Sequence, residues 1–332
     1  MRIALIGAGR IGHLHARLLA STPGVDGVVV ADAVPDRAAE LAADLAIESA
    51  PDIDAALHGA DAVVIAAATD AHATLVRRAI GRGLPSFCEK PLARTLGDTL
   101  AVAAEIEASG VPFQLGFQRR FDPAYREAHR LIESGELGTL YVLRLTGHDP
   151  APPHESYIPT SGGIFRDFSI HDFDALRWLT GSEVEEVYAD GSVRGFPVFG
   201  KYGDVDTAIA TLRTTDGILA VLTVTRHDPL GYDVRTEIFG SRDSISIGLG
   251  PQTPLRSVEP EVPPPPGPAW QNFLVRFEGA YAAELAAFVD VAQGRRESPC
   301  TARDGVQALR VAEAATEALH RRSIVRLEEI PG

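Results

Sequence analysis

The sequence predicts a mixed chain in two parts: α/β, with a doubly wound parallel sheet, then α+β, on a largely antiparallel open sheet. Three observations predict it. Short β-rich apolar runs alternate with helical patterns from Arg2 to about Phe117. Beyond Arg120 that rhythm gives way to a succession of strand patterns. The length of 332 residues exceeds what one core ordinarily holds, about 250 to 300. We expect a first domain over residues 1–120 and a second over 121–332.

In the first part the expected strands are Ile3–Ile6, Val28–Ala31, Ala62–Ala67, Ser86–Cys88 and Phe113–Gly116. Helical patterns lie between them at 10–21, 36–46, 71–82 and 95–109, with Pro and Gly at the joints (Pro23-Gly24, Pro35, Gly83, Gly110). The second part opens with a helix at 123–134, a strand at 140–146, a Pro-rich loop from Pro150 to Pro159 and a helix ending at Thr180-Gly181. Strands follow at 184–193, 207–214, 218–225, 234–240 and 243–249, and Asp216-Gly217 reads as a two-residue hairpin turn. Val262 to Pro268 holds five prolines and must be a loop, because proline lacks the N–H and fixes φ. Helices at 271–293 and 302–320 close the chain.

Composition removes several partner classes. Forty-five acids against 31 bases leave a net charge of −14, which opposes phosphate backbones and anionic lipid surfaces. No nucleic acid and no membrane partner is expected. Two cysteines, Cys88 and Cys300, make neither a disulfide framework nor a cysteine-built zinc site, and Cys88 reads as packing rather than as a nucleophile. With no long apolar run and no leader pattern at the N-terminus, a soluble, cytoplasmic protein is expected. No His, Asp and Glu spacing suggests a metal.

The first strand runs into Gly7-Ala8-Gly9-Arg10-Ile11-Gly12, where a helix begins. Gly7 suits a tight turn, Gly9 lets the backbone approach a pyrophosphate, and Gly12 lets the helix pack on its strand. Free N–H groups and the helix dipole would hold the phosphates. Asp32, about twenty residues beyond Gly12 at the end of the second strand, is placed to accept ribose hydroxyls. This is the Rossmann pattern. A carboxylate there repels a 2′-phosphate, so NAD is expected over NADP, with nearby Arg37 the one feature pointing the other way.

In the second part, Asp167 and His171 stand four apart, and Asp174 and Trp178 continue the same ridge of a helix. Burying a histidine and two carboxylates on one stripe is costly unless they are paired or used. A neutral imidazole can take a hydroxyl proton, and a carboxylate one turn away can orient the ring. Lys90 follows a strand end of the parallel sheet, the edge where doubly wound folds bind ligands.

Residues 62–92 (AVVIAAATDAHATLVRRAIGRGLPSFCEKPL) and 161–174 (SGGIFRDFSIHDFD) carry a wider likeness. With them the chain resembles the glucose-fructose oxidoreductase and inositol dehydrogenase (Gfo/Idh/MocA) family, and its inositol 2-dehydrogenase branch in particular. That resemblance implies an NAD-dependent oxidoreductase that oxidises a ring hydroxyl of a cyclic polyol to a ketone. It implies Lys90, Asp167 and His171 as the catalytic residues, with His171 as base. It adds Thr69, His72, Glu89 and Lys90 to the cofactor contacts of the glycine turn and Asp32. Arg120, Asp149, Tyr157, His171 and Tyr232 would face the substrate, with Arg119 the rival of Arg120. At His148 the sequence departs from the arginine expected in that branch, which leaves the polyol open. The resemblance also implies a homo-oligomer, a dimer or homotetramer. Three other readings remain: a dehydrogenase of another sugar or aldose, a redox-assisted glycoside-cleaving relative, and a non-catalytic NAD-binding sensor.

Overall fold

The computed structural model describes all 332 residues and divides them into two compact units. One comprises Met1–Phe121 with Glu278–Gln307, the other Asp122–Phe277 with Ala308–Gly332. The second unit is not the continuous stretch expected, because residues 278–307 return to the first.

The first unit begins with β1 (Arg2–Ile6), α1 (Arg10–Leu19), β2 (Gly27–Ala31), α2 (Pro35–Leu45), β3 (Glu48–Ser49) and α3 (Ile53–Leu57). It continues through β4 (Ala62–Ile65), α4 (Thr69–Ile80), β5 (Ser86–Glu89), α5 (Leu96–Ser109) and β6 (Phe113–Gly116). All six strands are parallel, in the order β3-β2-β1-β4-β5-β6. The central strands are buried on both faces, as a sheet covered by helices on each side requires. Strand order reverses between β1 and β4, and ligands of such sheets sit beyond the carboxyl ends at that point.

The second unit runs through α6 (Pro123–Glu133), β7 (Leu140–His148), α7 (Ile158–Ser161), α8 (Ile170–Thr180), β8 (Val184–Ser192) and α9 (Val198–Lys201). Then come β9 (Thr207–Thr214), β10 (Leu219–Thr225), β11 (Asp233–Gly240), β12 (Ser244–Ile247) and α10 (Phe273–Arg276). Its sheet, ordered β12-β11-β7-β10-β9-β8 and ending at β13 (Val325–Arg326), is antiparallel except for the β7 and β10 pair. One face is core, and the other leaves Tyr188, Ile209 and Leu219 exposed. The chain closes with α11 (Glu278–Ala292), α12 (Ala302–Arg321) and β13 (Val325–Arg326).

Three local expectations need correction. The hairpin between β9 and β10 is longer than two residues: Thr214 N–H still donates to the Ile218 carbonyl, so Thr215, Asp216 and Gly217 form the connection. The Asp216 carboxylate accepts from Thr214 and Ser182 hydroxyls and braces that turn. The helix expected at 271–293 breaks at Phe277, where α10 ends and α11 rejoins the first unit. α11 is buried through Ala280, Tyr281, Leu285 and Phe288, and its Glu284 carbonyl accepts from Gln114 on β6. Finally, α8 is entered through a π-helical turn, Phe165–Ser169. The Asp167-to-Trp178 ridge therefore begins only at His171. Asp174 is buried and Trp178 stacks on His129 at 4.2 Å.

Candidate active site

In the first unit the glycine turn is built to tolerances that side chains would violate. Gly7 has φ +112°, and a Cβ there would lie 2.5 Å from the Ala66 carbonyl oxygen; one on Gly12 would lie 2.0 Å from the Gly7 oxygen. Around Gly9 nothing lies within 4 Å, leaving the backbone open to approach. Gly9 caps α1 and, being glycine, contributes no side-chain hydrogen bond to its first turn. Asp32 accepts from Ala8 N–H at 2.7 Å and Val34 N–H at 2.8 Å, which ties the second strand's end to the turn. The residues present fit an anionic dinucleotide: close backbone, a helix start and a half-buried carboxylate.

The same edge holds Thr69 at the start of α4, and Glu89 and Lys90 at the end of β5. The Lys90-Pro91 peptide is cis. Glu89 is engaged inward, its Oε1 2.6 Å from His15 Nε2. His72 is buried, with Nδ1 2.7 Å from the Pro91 carbonyl oxygen and Nε2 3.0 Å from that of Ala67. Burial pushes its pKa below the ordinary histidine value, although both carbonyls work against that. Arg120, expected at the substrate, is buried and donates to the Pro299 carbonyl at 3.0 Å and to Asp304 at 2.9 Å.

In the second unit three of the expected residues meet. Tyr157 donates to Asp167 Oδ1 at 2.7 Å, and Asp167 Oδ2 accepts from Arg226 at 2.8 Å. The same Arg226 nitrogen is 3.5 Å from Asp149. Arg226 is 2% exposed. Burial works against its charge, but Asp167 and Asp149 outweigh that and raise its pKa. A buried guanidinium facing two carboxylates is thus the hub of the group. Sequence reasoning missed it; the one signal was an arginine placed directly after the apolar strand β10. Its backbone is fixed as well, since its N–H donates to the Asp206 carbonyl at 2.8 Å.

His171 is half-buried in the first turn of α8, just past the π-helical turn that carries Asp167. Such wide turns recur at functional positions in helices. Tyr232 is buried, its N–H donating to the Trp270 carbonyl and its ring 6.4 Å from that of Phe168. Phe168 in turn fills the space that a side chain at Gly147 would need, 2.4 Å from such a Cβ. His148, Asp228 and Asp233 bring donor atoms within 4.8 Å of one another, a cluster that sequence spacing did not foretell. Arg235 donates to both Asp233 oxygens, at 2.8 and 2.9 Å, so a guanidinium already meets that carboxylate.

Comparison with known proteins identifies the family. Residues 1–117 match the family described as "Oxidoreductase family, NAD-binding Rossmann fold", and residues 125–246 match the GFO/IDH/MocA C-terminal domain. The chain is 39% identical over 320 residues to myo-inositol dehydrogenase Hyg17 of Streptomyces leeuwenhoekii, covering 95% of this chain and 96% of that one. It is 37% identical over 339 residues to myo-inositol 2-dehydrogenase of Thermotoga maritima, covering 100% of each. The crystal structure of scyllo-inositol dehydrogenase from Lactobacillus casei with bound NAD(H) and scyllo-inositol aligns with TM-score 0.89 and 31% identity, over 99% of each chain. The first unit therefore contains an NAD-binding Rossmann domain. No helix is long and apolar enough to cross a membrane.

Proposed function

We propose a reaction for a chain that belongs to the GFO/IDH/MocA oxidoreductase family: NAD-dependent oxidation of a ring hydroxyl of an inositol-like polyol to a ketone. The observation that carries it is the gathering of Asp149, Tyr157 and Asp167 around buried Arg226, close in the chain to His171. Full-length relatives with inositol dehydrogenase names support the substrate class.

When bound, NAD supplies the hydride acceptor. The start of α1 beyond Gly9 would hold its pyrophosphate and Asp32 its ribose hydroxyls, while Thr69, His72 and Glu89 shape the same edge. Lys90 donates a hydrogen bond to the reacting oxygen. His171, as neutral imidazole, takes the hydroxyl proton as the carbon–hydrogen bond breaks. The Asp167 carboxylate, fixed by Tyr157 and Arg226, then faces a developing imidazolium with negative charge. Asp149, Tyr157 and Tyr232 pair with the remaining hydroxyls, which excludes substrates that leave such groups unmatched, while the Arg120 guanidinium is held by Pro299 and Asp304. Two copies or four assemble through the exposed sheet face around Ile209 and Leu219, because an open apolar patch on a sheet favours association. Sedimentation at micromolar concentration tests the assembly: a monomer contradicts it.

Incubation with NAD or NADP and each of myo-inositol, scyllo-inositol, glucose, galactose and xylose, followed by nicotinamide absorbance, tests the reaction. Reduction of NAD with an inositol supports it. Turnover of an aldose alone moves the substrate, and silence with every sugar, in protein that binds NAD, favours a glycoside-acting or sensor role.

A further inference from the structure

Glu89, Lys90 and Pro91 are gripped from two sides by buried histidines, His15 and His72, whose action on this segment the proposed reaction leaves unstated. His15 lies on α1, the helix that starts at the glycine turn, and is 0% exposed. Its Nε2–H donates to Glu89 Oε1 at 2.6 Å, while Phe87 and Tyr281 press their rings against it edge-on at 5.6 and 5.7 Å. Its Nδ1 is buried with no partner, so Glu89 is the sole polar purpose of the ring. Were packing the only requirement, an apolar side chain would fill this place without stranding a nitrogen. Space for the carboxylate is kept by Gly116 on β6, where a Cβ would come within 3.1 Å of Glu89 Oε2.

His72 works from α4. Its ring sits between the carbonyls of Pro91, after Lys90, at 2.7 Å and of Ala67, before that helix, at 3.0 Å, and as a neutral ring it donates to one of them and packs against the other. The Ala66-Ala67 backbone is itself the surface against which Gly7 closes. One histidine thus ties the lysine segment to α1, and the other wedges that segment against the turn behind the glycines.

We propose that His15 and His72 are positioning residues that jointly fix the Glu89-Lys90-Pro91 segment and so aim the Lys90 ammonium; this rests on the reading of Lys90 as an active-site group. The polar contacts of both rings are to protein groups: Glu89 for His15, and the Pro91 and Ala67 carbonyls for His72. Their work is to stop the segment after β5 from drifting, and small displacements of an aligned group are expensive in rate.

The chain offers a clean assay, because Lys90 and the exposed Lys201 are its only two lysines. Full-length protein is acetylated with a water-soluble amine reagent, with and without NAD, and the Lys90-to-Lys201 labelling ratio is read by peptide mass spectrometry. His15→Phe and His72→Phe keep a ring and lose the hydrogen bonds, whereas His15→Gln keeps a donor toward Glu89. We expect each Phe variant to change the ratio about threefold or more, to weaken NAD protection of Lys90 and to lower kcat about tenfold, with KM for the polyol changing less than about threefold. His15→Gln restores most of the wild-type ratio and kcat. Circular dichroism melting identifies any variant that fails to fold, in which case the Gln variant with Glu89→Gln carries the test. Folded variants with the wild-type ratio and kcat overturn the proposal. If wild-type protein oxidises no polyol yet the ratio shifts as expected, the polyol reading fails and the positioning role stands.

Discussion

The cofactor edge of the first unit and the polar cluster of the second are made of different material. Around Gly7, Gly9 and Gly12 the recognition surface is backbone: what matters is which side chains are missing and how closely strand, turn and helix approach. Around Asp149, Tyr157 and Asp167 it is side-chain charge, held in a fixed arrangement by a guanidinium with almost no access to water. The first kind of site should tolerate changes of surface charge and fail on added volume. The second should tolerate small changes of volume and fail when one charge is removed.

The sharpest way to break that comparison is to add bulk to the turn. Gly12→Val would push a Cβ into the Gly7 carbonyl, and we expect NAD affinity to fall more than about a hundredfold in a fluorescence titration, against less than about threefold for Arg10→Ala. Comparable losses from both would dissolve the distinction. Next in size is Arg226→Met, which leaves Asp167 and Asp149 without their buried counter-charge. Loss of one partner of a buried ion pair costs about 3 to 5 kcal/mol, and urea unfolding should show it. A cost near zero would mean the carboxylates find other partners.

Asp32→Ala probes the exception, the one charged side chain on the backbone-built edge. It should relax the preference for NAD over NADP by about tenfold or more, read as the ratio of kcat/KM values. An unchanged ratio would assign Asp32 only to closing the turn through Ala8 and Val34. A smaller effect is expected from acid. Burial opposes the charge of Asp206, yet the N–H groups of Arg194, Phe196 and Gly195 hold its carboxyl below the ordinary 3.8. Asp304 behaves alike, with Arg120 and Thr301 outweighing burial. A carboxyl depressed in the folded state adds stability that is present above its unfolded value and is lost as pH falls through the folded one. The melting temperature should hold from pH 7 to about 5 and drop below about pH 4, less steeply in Asp206→Asn. Equal steepness in the two proteins would remove Asp206 from that account.

The comparison also explains what the sequence made legible. The glycines, Asp32 and the β5 end could be read because a backbone site is local: each residue's role depends on neighbours a few positions away, in a turn whose geometry is general. The strand alternation and the loop over Val262–Pro268 were readable for the same reason. Arg226 was invisible because its importance lies in meeting Asp149 and Asp167 across distant stretches of chain. The π-helical turn at Phe165–Ser169 was hidden because an i, i+4 pattern reads the same whether the turn that carries it is α or the wider π form. His15 illustrates a third limit: a histidine on a helix beside a glycine turn gives no hint that Glu89 awaits its ring. Arg120 illustrates the reverse, a residue suited to substrate whose guanidinium meets Pro299 and Asp304.

In the proposed reaction the first unit holds the cofactor and His171 of the second removes the proton. His171→Asn tests this most directly, with NAD affinity and the reduction of NAD by myo- and scyllo-inositol measured on the same preparation. Affinity within about twofold of wild type and turnover lowered at least about a hundredfold are expected. Turnover near wild type would contradict His171 as the base, and lost NAD binding would contradict the separation of the two tasks.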